Sequence, residues 1–477
     1  MILKIIYMKN FLIILSLLLF FFNCSAKKED PVKPNIIYIM ADDLGYGEVG
    51  SYGQKDIKTP NIDRLAGEGM KFTQHYSGSP VCAPARSVLM TGLHSGHTPS
   101  RGNMEVDPYG QFPLPNETVT VAELLKKAGY KTAMYGKWGL GVENSSGDPN
   151  AQGFDDIYGY YCQVHAHNSF PEYLYHNGEK IMLSNKVNYL PEDHWTRGLG
   201  GYATKKVDYS NDDFFEMAVD FIANNHDDPF FLYLPVTMPH DNGEAPEGER
   251  YESPTLKPYE GEDDWSFEKK SRAAVISRMD DYIGLIMKEL EKTNISNNTI
   301  LIFTSDNGCD NPDFFNGSGE LRGMKRDVYE GGIRVPLIVR WPGKIKAGSV
   351  SDHISAFWDF LPTACEIAEI DLEIETDGIS YLPELLGESQ PEHEYLYWEF
   401  QEQGKKQAAR MGNWKAVRLS VYENPDAPIE LYDLGTDIGE QNNVAENYPD
   451  IAREMDKIIK EAHVADPNWP LYSNEFE

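Results

Sequence analysis

Cysteine is scarce, with five residues in a chain of 477. That is too few for disulfides to frame an exported protein of this length. Basic residues are also in short supply: 43 Lys and Arg against 75 Asp and Glu leave a formal charge of −32. Nucleic acid is excluded as a partner, because binding it needs basic patches that displace counterions. An anionic small substrate is not excluded. Scattered surface charge is screened beyond about 8 Å, whereas a cation in a partly desolvated pocket acts at about 4 Å and is worth about 4 kcal/mol before desolvation. Fixed-period repeats and low-complexity tracts are missing, and so is any apolar run long enough to span a bilayer. The longest run, Phe11–Phe22, follows Lys9 and has the length of a signal-peptide core. It ends at Phe22-Asn23-Cys24-Ser25, a loose lipoprotein signal in which bulky Phe22 and Asn23 stand where small residues are usual. Residues 1–23 are therefore expected to be a lipoprotein-type signal, with Cys24 lipidated and 24–33 a linker. Simple cleavage near Ala26 is the alternative. The expected location is the periplasm or a bacterial outer-membrane or cell surface.

What the chain does have is a packable composition, 41% hydrophobic with 12% aromatic residues. Asn35–Met40 is a continuous apolar run, which is how a strand buried on both faces reads. Further strands are expected at Lys131–Tyr135, Phe230–Val236 and Thr299–Thr304, with helices at Asn61–Gly69, Val121–Ala128 and about Phe267–Lys292. Strands alternating with helices predict an α/β fold, a large, mostly parallel sheet flanked by helices, over residues 34–390. From about Glu394 the texture changes to short strands at Tyr395–Phe400, Gln407–Ala409, Lys415–Leu419 and Glu430–Leu434, then a helix at Asp450–Ala462. Residues 391–477 are thus expected to form a small C-terminal antiparallel-sheet subdomain. Ligands of such open sheets sit beyond the carboxyl ends of the strands, and Asp42, Asp43, Lys137, His240, Asp306 and Asn307 all follow a predicted strand end.

Asp42-Asp43 and Asp306-Asn307 offer four hard oxygen donors, a set suited to calcium; either pair alone could instead cap a loop. Cys82 could be a small buried hydrophobe or a thiolate activated by a helix N-terminus and Arg86. The full stretch Cys82-Ala83-Pro84-Ala85-Arg86, running into Ser87–Gly92, resembles the maturation signature of type I sulfatases. It departs only at Ala85, where Ser is commoner. The resemblance implies that Cys82 is oxidised to formylglycine, whose hydrate attacks sulfur and later expels sulfate as the aldehyde re-forms. It also implies an alkaline phosphatase-like sandwich and a calcium ion held by Asp42, Asp43, Asp306 and Asn307 together with the modified Cys82. With Cys24 and Cys82 so used, only Cys162, Cys309 and Cys365 remain, too few to pair completely.

The other motifs follow in the family's order. Gly136-Lys137-Trp138-Gly139-Leu140-Gly141 resembles the family's Gly-Lys-Trp-His-Leu-Gly, so Lys137 is implied to bind a sulfate oxygen; Gly139 stands where a histidine is usual. Thr237-Met238-Pro239-His240 matches the strand-end histidine, implied to be a general acid or sulfate ligand. Gly323-Met324-Lys325 opens a long second signature ending at Pro336 and implies that Lys325 binds sulfate. Arg86, one helical turn past Cys82, is implied to stabilise the hydrated aldehyde. His165 and His167 lie two apart and would share one face if extended, which makes them sulfate or sugar contacts and a replacement for the missing histidine. His97, Arg101 and Asn103 follow the nucleophile helix and are expected to line the sugar subsite.

Together these motifs imply a sulfuric ester hydrolase cleaving the S–O bond of sulfated carbohydrates. Galactose or N-acetylgalactosamine esters are expected, the 4-sulfate ahead of the 6-sulfate. A formylglycine-generating or anaerobic sulfatase-maturating enzyme is an implied partner. The nearest alternative is a formylglycine-dependent phosphonate monoester or phosphodiester hydrolase. A non-catalytic glycan-binding lipoprotein and a transition-metal hydrolase built on His165 and His167 are further alternatives.

Overall fold

From Asn35 to Ala41 every residue is buried, and this segment forms the strand at the centre of the main sheet. The computed structural model describes residues 33–107 and 110–476; the signal, Cys24 and nearly all of the linker lie outside the described residues. In chain order the main sheet is built from β1 (Asn35–Ala41), β2 (Met70–Phe72), β3 (Lys131–Lys137), β4 (Asp156–Tyr160), β5 (Tyr173–His176), β6 (Glu179–Met182), β7 (Phe230–Pro235), β8 (Thr299–Ser305), β9 (Leu337–Arg340) and β10 (Ser349–Ser351). Their spatial order is β10-β2-β9-β8-β1-β7-β3-β4-β5-β6. The five central strands, β8, β1, β7, β3 and β4, are parallel, with Ile39 of β1 facing Phe303 on one side and Leu234 on the other. β9 and β5 flank this block antiparallel.

Alternation along β1 assigns its side chains to two cores. Ile36, Tyr38 and Met40 enter one, and Ile37, Ile39 and Ala41 the other, as a period of two requires. The first core is completed by α2 (Cys82–Thr91), α3 (Val121–Lys127) and α6 (Phe360–Ile367). The second is completed by α1 (Pro60–Glu68), α4 (Ser210–Asn225) and α5 (Phe267–Lys292). Helix starts carry ordinary caps. Thr120 and Glu123 form a reciprocal capping box on α3, and the Ser266 hydroxyl accepts from Lys269 N–H on α5. The result is the expected sandwich of a mostly parallel sheet between helical layers. β3 runs on to Lys137 rather than stopping at Tyr135, because Gly136 and Lys137 continue pairing with Gly159 and Tyr160 of β4.

A four-stranded antiparallel sheet follows: β11 (Leu396–Phe400), β12 (Lys406–Met411), β13 (Trp414–Leu419) and β14 (Glu430–Asp433). Tyr397, Ala409, Ala416 and Leu431 pack on α7 (Pro449–Glu461) through Met455 and Ile459. The opposite face, Leu396, Trp398, Phe400, Ala408 and Val417, belongs to the main core. The four described cysteines are free and buried. No helix among the described residues is long and apolar enough to cross a membrane.

Candidate active site

The carboxyl ends of the parallel strands converge on one buried cluster. β1 delivers Asp42 and Asp43, β3 delivers Lys137, the turn after β7 delivers His240, and β8 delivers Asp306 and Asn307. Asp43 adopts φ +64°, a left-handed conformation that aspartate tolerates better than most residues. Its N–H donates to Asp306 Oδ1 at 3.1 Å, so the two strand ends lock together. Gly308 is required just beyond, since a Cβ there would lie 1.8 Å from the Gly331 carbonyl oxygen.

Each carboxylate has a cation at close range. Lys137 Nζ lies 2.7 Å from Asp42 Oδ2, Lys325 Nζ 2.6 Å from Asp43 Oδ2, and Arg86 Nη2 2.9 Å from Asp306 Oδ2. Arg86 also donates to the Lys137 carbonyl at 2.5 Å, fixing the end of β3. Burial would raise the Asp42 carboxyl, but Lys137, His240, Arg86 and Lys325 hold it well below the usual carboxylate range. Burial and repulsion from Asp42 push Asp306 up to about 7 even though Arg86 opposes them. Lys325 is buried too, yet Asp43 keeps its ammonium well above the ordinary lysine range.

Histidine 240 has a defined tautomer. Its Nδ1 lies 2.5 Å from the Asp241 carbonyl, which can only accept, so Nδ1 carries hydrogen. Nε2 is then a lone pair, and Lys325 Nζ donates to it at 3.0 Å. Burial first, and Lys325 second, hold this imidazole well below its usual pKa.

Position 82 opens α2, with its Sγ 3.5 Å from Asp42 Oδ1. Burial pushes the thiol up to about 12, more than Lys137 and Lys325 can offset. Burial thus works against the activated thiolate that is one of the readings open from sequence. Cys82, His240 and Lys325 all line a cavity of about 770 Å³.

Asp42, Asp43 and Asp306 could hold a metal ion with Asn307; Asp42, Asp43, Cys82 and His240 already place ligand atoms within 4.8 Å of one another. A second observation fits. Asn307 Nδ2 donates to Asp43 Oδ1 at 2.7 Å, while its Oδ1 is buried without a hydrogen-bond partner. An orphaned oxygen beside three carboxylates is a donor set for a hard cation.

The remaining predicted residues separate. His165 and His167 lie in a 3₁₀ turn, so they diverge instead of sharing a face. His165 packs against Tyr160 and Tyr173, and burial lowers its pKa to about 3. It does not line the cavity, and the paired transition-metal site falls with it. His167 does line the cavity, stacked on His240 at 4.8 Å and bonded to Glu244 at 3.1 Å. Arg101 is turned away from the cavity into Glu399 at 3.1 Å and the Val464 carbonyl, tying the loop after α2 to the C-terminal sheet. His97 is bound to Asp377; Asn103 lines the cavity. Gln163, Trp195, Arg197 and Arg250 line it as well, and no sequence motif singled them out.

Residues 34–370 match the sulfatase family. The chain belongs to the sulfatase family. Residues 322–465 also match the C-terminal region of N-sulphoglucosamine sulphohydrolase. An N-acetylgalactosamine-6-O-sulfatase of Bacteroides thetaiotaomicron is 31% identical, over 90% of this chain and 93% of that protein. Among solved structures, one from glycosaminoglycan metabolism by Bacteroides thetaiotaomicron has a TM-score of 0.72 at 28% identity, covering 90% of this chain and 99% of its own. Ps i-CgsB in complex with k-i-k-neocarrahexaose has a TM-score of 0.74 at 27% identity, covering 93% and 96%. As a sulfatase, this chain is a sulfuric ester hydrolase.

Proposed function

We propose that this sulfatase hydrolyses sulfate monoesters of galactose- or N-acetylgalactosamine-type sugars at position 82, matured to formylglycine, beside a calcium ion. The observation that carries the reading is the convergence of Cys82, His240 and Lys325 on one cavity next to a buried carboxylate cluster. Asp42, Asp43, Asp306 and Asn307 would hold the calcium, which would act as a Lewis acid on a sulfate oxygen. Formylglycine would supply a hydrated aldehyde, a nucleophile for sulfur whose collapse releases sulfate.

The chain's own residues do the rest. Lys137 and Lys325 bring two buried cations to the anionic ester, and their fixed positions favour charge that grows in the transition state. Arg86 holds Asp306 and the end of β3, keeping the cluster in register. Lys325, kept protonated by Asp43, is the donor that protonates the departing sugar oxygen. His240 accepts one Lys325 N–H at the lone pair of its Nε2, which orients the ammonium so that another of its hydrogens faces the ester oxygen. The Asp241 carbonyl fixes the imidazole so that this lone pair, and not N–H, points at Lys325.

The sugar end of the cavity carries polar and aromatic groups suited to a glycan. Trp195 is 58% exposed, a face on which a sugar ring can stack. The similarity to an N-acetylgalactosamine-6-O-sulfatase turns the expected preference from the 4-sulfate to the 6-sulfate. Because all ten residues of α2 are buried, a maturating enzyme must reach Cys82 before the chain folds. Export as a lipid-anchored bacterial protein belongs to the same proposal, supported by the run Phe11–Phe22 and by Cys24.

The test is sulfate release by protein co-produced with a maturating enzyme, from galactose and N-acetylgalactosamine carrying either 4- or 6-sulfate. The 6-sulfate of N-acetylgalactosamine should be the best substrate. No sulfate release from any of these sugars would refute the assignment.

A further inference from the structure

One wall of the cavity carries a polar side chain with nothing to bind. Gln163 is 4% exposed and lines the cavity, yet neither its Nε2 nor its Oε1 has a hydrogen-bond partner within the protein. A buried carboxamide without partners forfeits the hydrogen bonds that water would give it, so its presence in a well-packed molecule asks for a ligand.

Its position follows from the sheet. β3 and β4 are parallel neighbours, and their pairing continues past the strand ends. Trp138 N–H donates to the Tyr160 carbonyl at 2.9 Å and Gly139 N–H to the Tyr161 carbonyl at 3.0 Å. Lys137 therefore leaves β3 toward Asp42, while Gln163 leaves the extension of β4 beside Gly139. Gly139 sits at φ +81°, and a Cβ there would lie 2.4 Å from Gln163 Nε2. The absence of a side chain at 139 is what makes room for the amide. The Gln163 N–H is held by Gln111 Oε1 at 3.1 Å, so the backbone beneath it is fixed.

We infer that Gln163 is a specificity-determining residue that reads a hydroxyl of the sulfated sugar. This rests on the proposed activity and deepens it. A carboxamide offers a donor and an acceptor together. A sulfate group only accepts, and would leave Oε1 facing like charge. A sugar hydroxyl both donates and accepts, so it satisfies Nε2 and Oε1 in one contact. Lys137 and Lys325 serve the ester's charge, and Gln163 serves the neutral part of the ring beside it. A site built to bond a hydroxyl discriminates strongly against substrates that lack one.

The experiment compares kcat/KM for N-acetylgalactosamine-6-sulfate with that for an aryl sulfate, which has no ring hydroxyls, in matured wild type, Q163L and G139A. The ratio of sugar to aryl turnover should fall about 10- to 100-fold in Q163L. It should fall in the same direction in G139A, which keeps Gln163 but crowds its amide. Thermal unfolding of both variants would show that the folded enzyme is being compared. An unchanged ratio, whether both substrates are retained or both decline together, overturns the assignment while the sulfatase reading stands. A wild type silent on sugar and aryl sulfates alike overturns both.

Discussion

Among the buried charge clusters of the described residues, two contrast sharply, and one of the two has the makings of a site. In the first, Asp42, Asp43 and Asp306 meet Lys137, Lys325 and Arg86 at the strand ends. In the second, Glu330 joins Lys415 at 2.8 Å and Arg334 at 3.2 Å, and Lys415 reaches Glu440 at 3.3 Å. Tyr76 donates to Glu330, and Glu330 N–H donates to Glu440. The first borders a cavity of about 770 Å³ and leaves Asn307 Oδ1 without a partner. The second does not line that cavity, and none of the side-chain atoms of Glu330, Lys415 or Glu440 is left unpaired. Charge burial alone therefore does not mark function; unspent bonding capacity next to open volume does. The second cluster joins the C-terminal sheet to the main domain, where a fully satisfied network specifies a fit.

The comparison can be broken at either end. C82A should reduce sulfate release to the uncatalysed background while leaving the fold intact, which activity assays and circular dichroism would establish together. K415A should do the reverse. It strands Glu330 and Glu440 beside each other, and losing one partner of a buried ion network costs about 3–5 kcal/mol, readable by denaturant unfolding. Its folded fraction should keep wild-type kcat. K325A removes the cation proposed to act on developing charge, and kcat should fall about 10²–10³-fold with a smaller change in stability than K415A shows. If K325A were as unstable as K415A with little loss of kcat, the two clusters would not differ in kind.

The smallest effect concerns pH. Burial and the neighbouring Glu330 raise the Glu440 carboxyl from its ordinary 4.5 to about 7 although Lys415 opposes them. The folded protein then holds this proton more tightly than the unfolded chain does. Its contribution to stability is greatest below pH 4.5 and is lost as pH rises through 7. Glu330 has the opposite sign. Burial works against it, but Lys415 and Arg334 hold it down at about 2, so its contribution is present above pH 4.5 and lost as pH falls toward 2. E440Q lacks the first titration, so its melting temperature relative to wild type should climb between pH 4.5 and 7. A flat difference across that window would contradict the assignment.

Much of the site is legible in the sequence, because buried parallel strands appear as uninterrupted apolar runs and their chemistry follows at the ends. Asn35–Ala41 into Asp42-Asp43, and Thr299–Ser305 into Asp306-Asn307, need only that rule. What the chain order hides is lateral. His165 and His167 suggest one face because spacing of two suits a strand, and a 3₁₀ turn sends them apart. Arg101 sits close in sequence to α2, but its partner Glu399 lies on β11. Gln163 carries no motif of its own. The signal is the empty position at Gly139, and only the pairing of β3 with β4 shows which side chain fills it.

The most direct test is to give matured wild type the 6-sulfate and the 6-phosphate of N-acetylgalactosamine and compare kcat/KM, with C82A alongside. A strong preference for sulfate that disappears in C82A is the predicted result. Faster turnover of the phosphate, or sulfate release that survives in C82A, would contradict it.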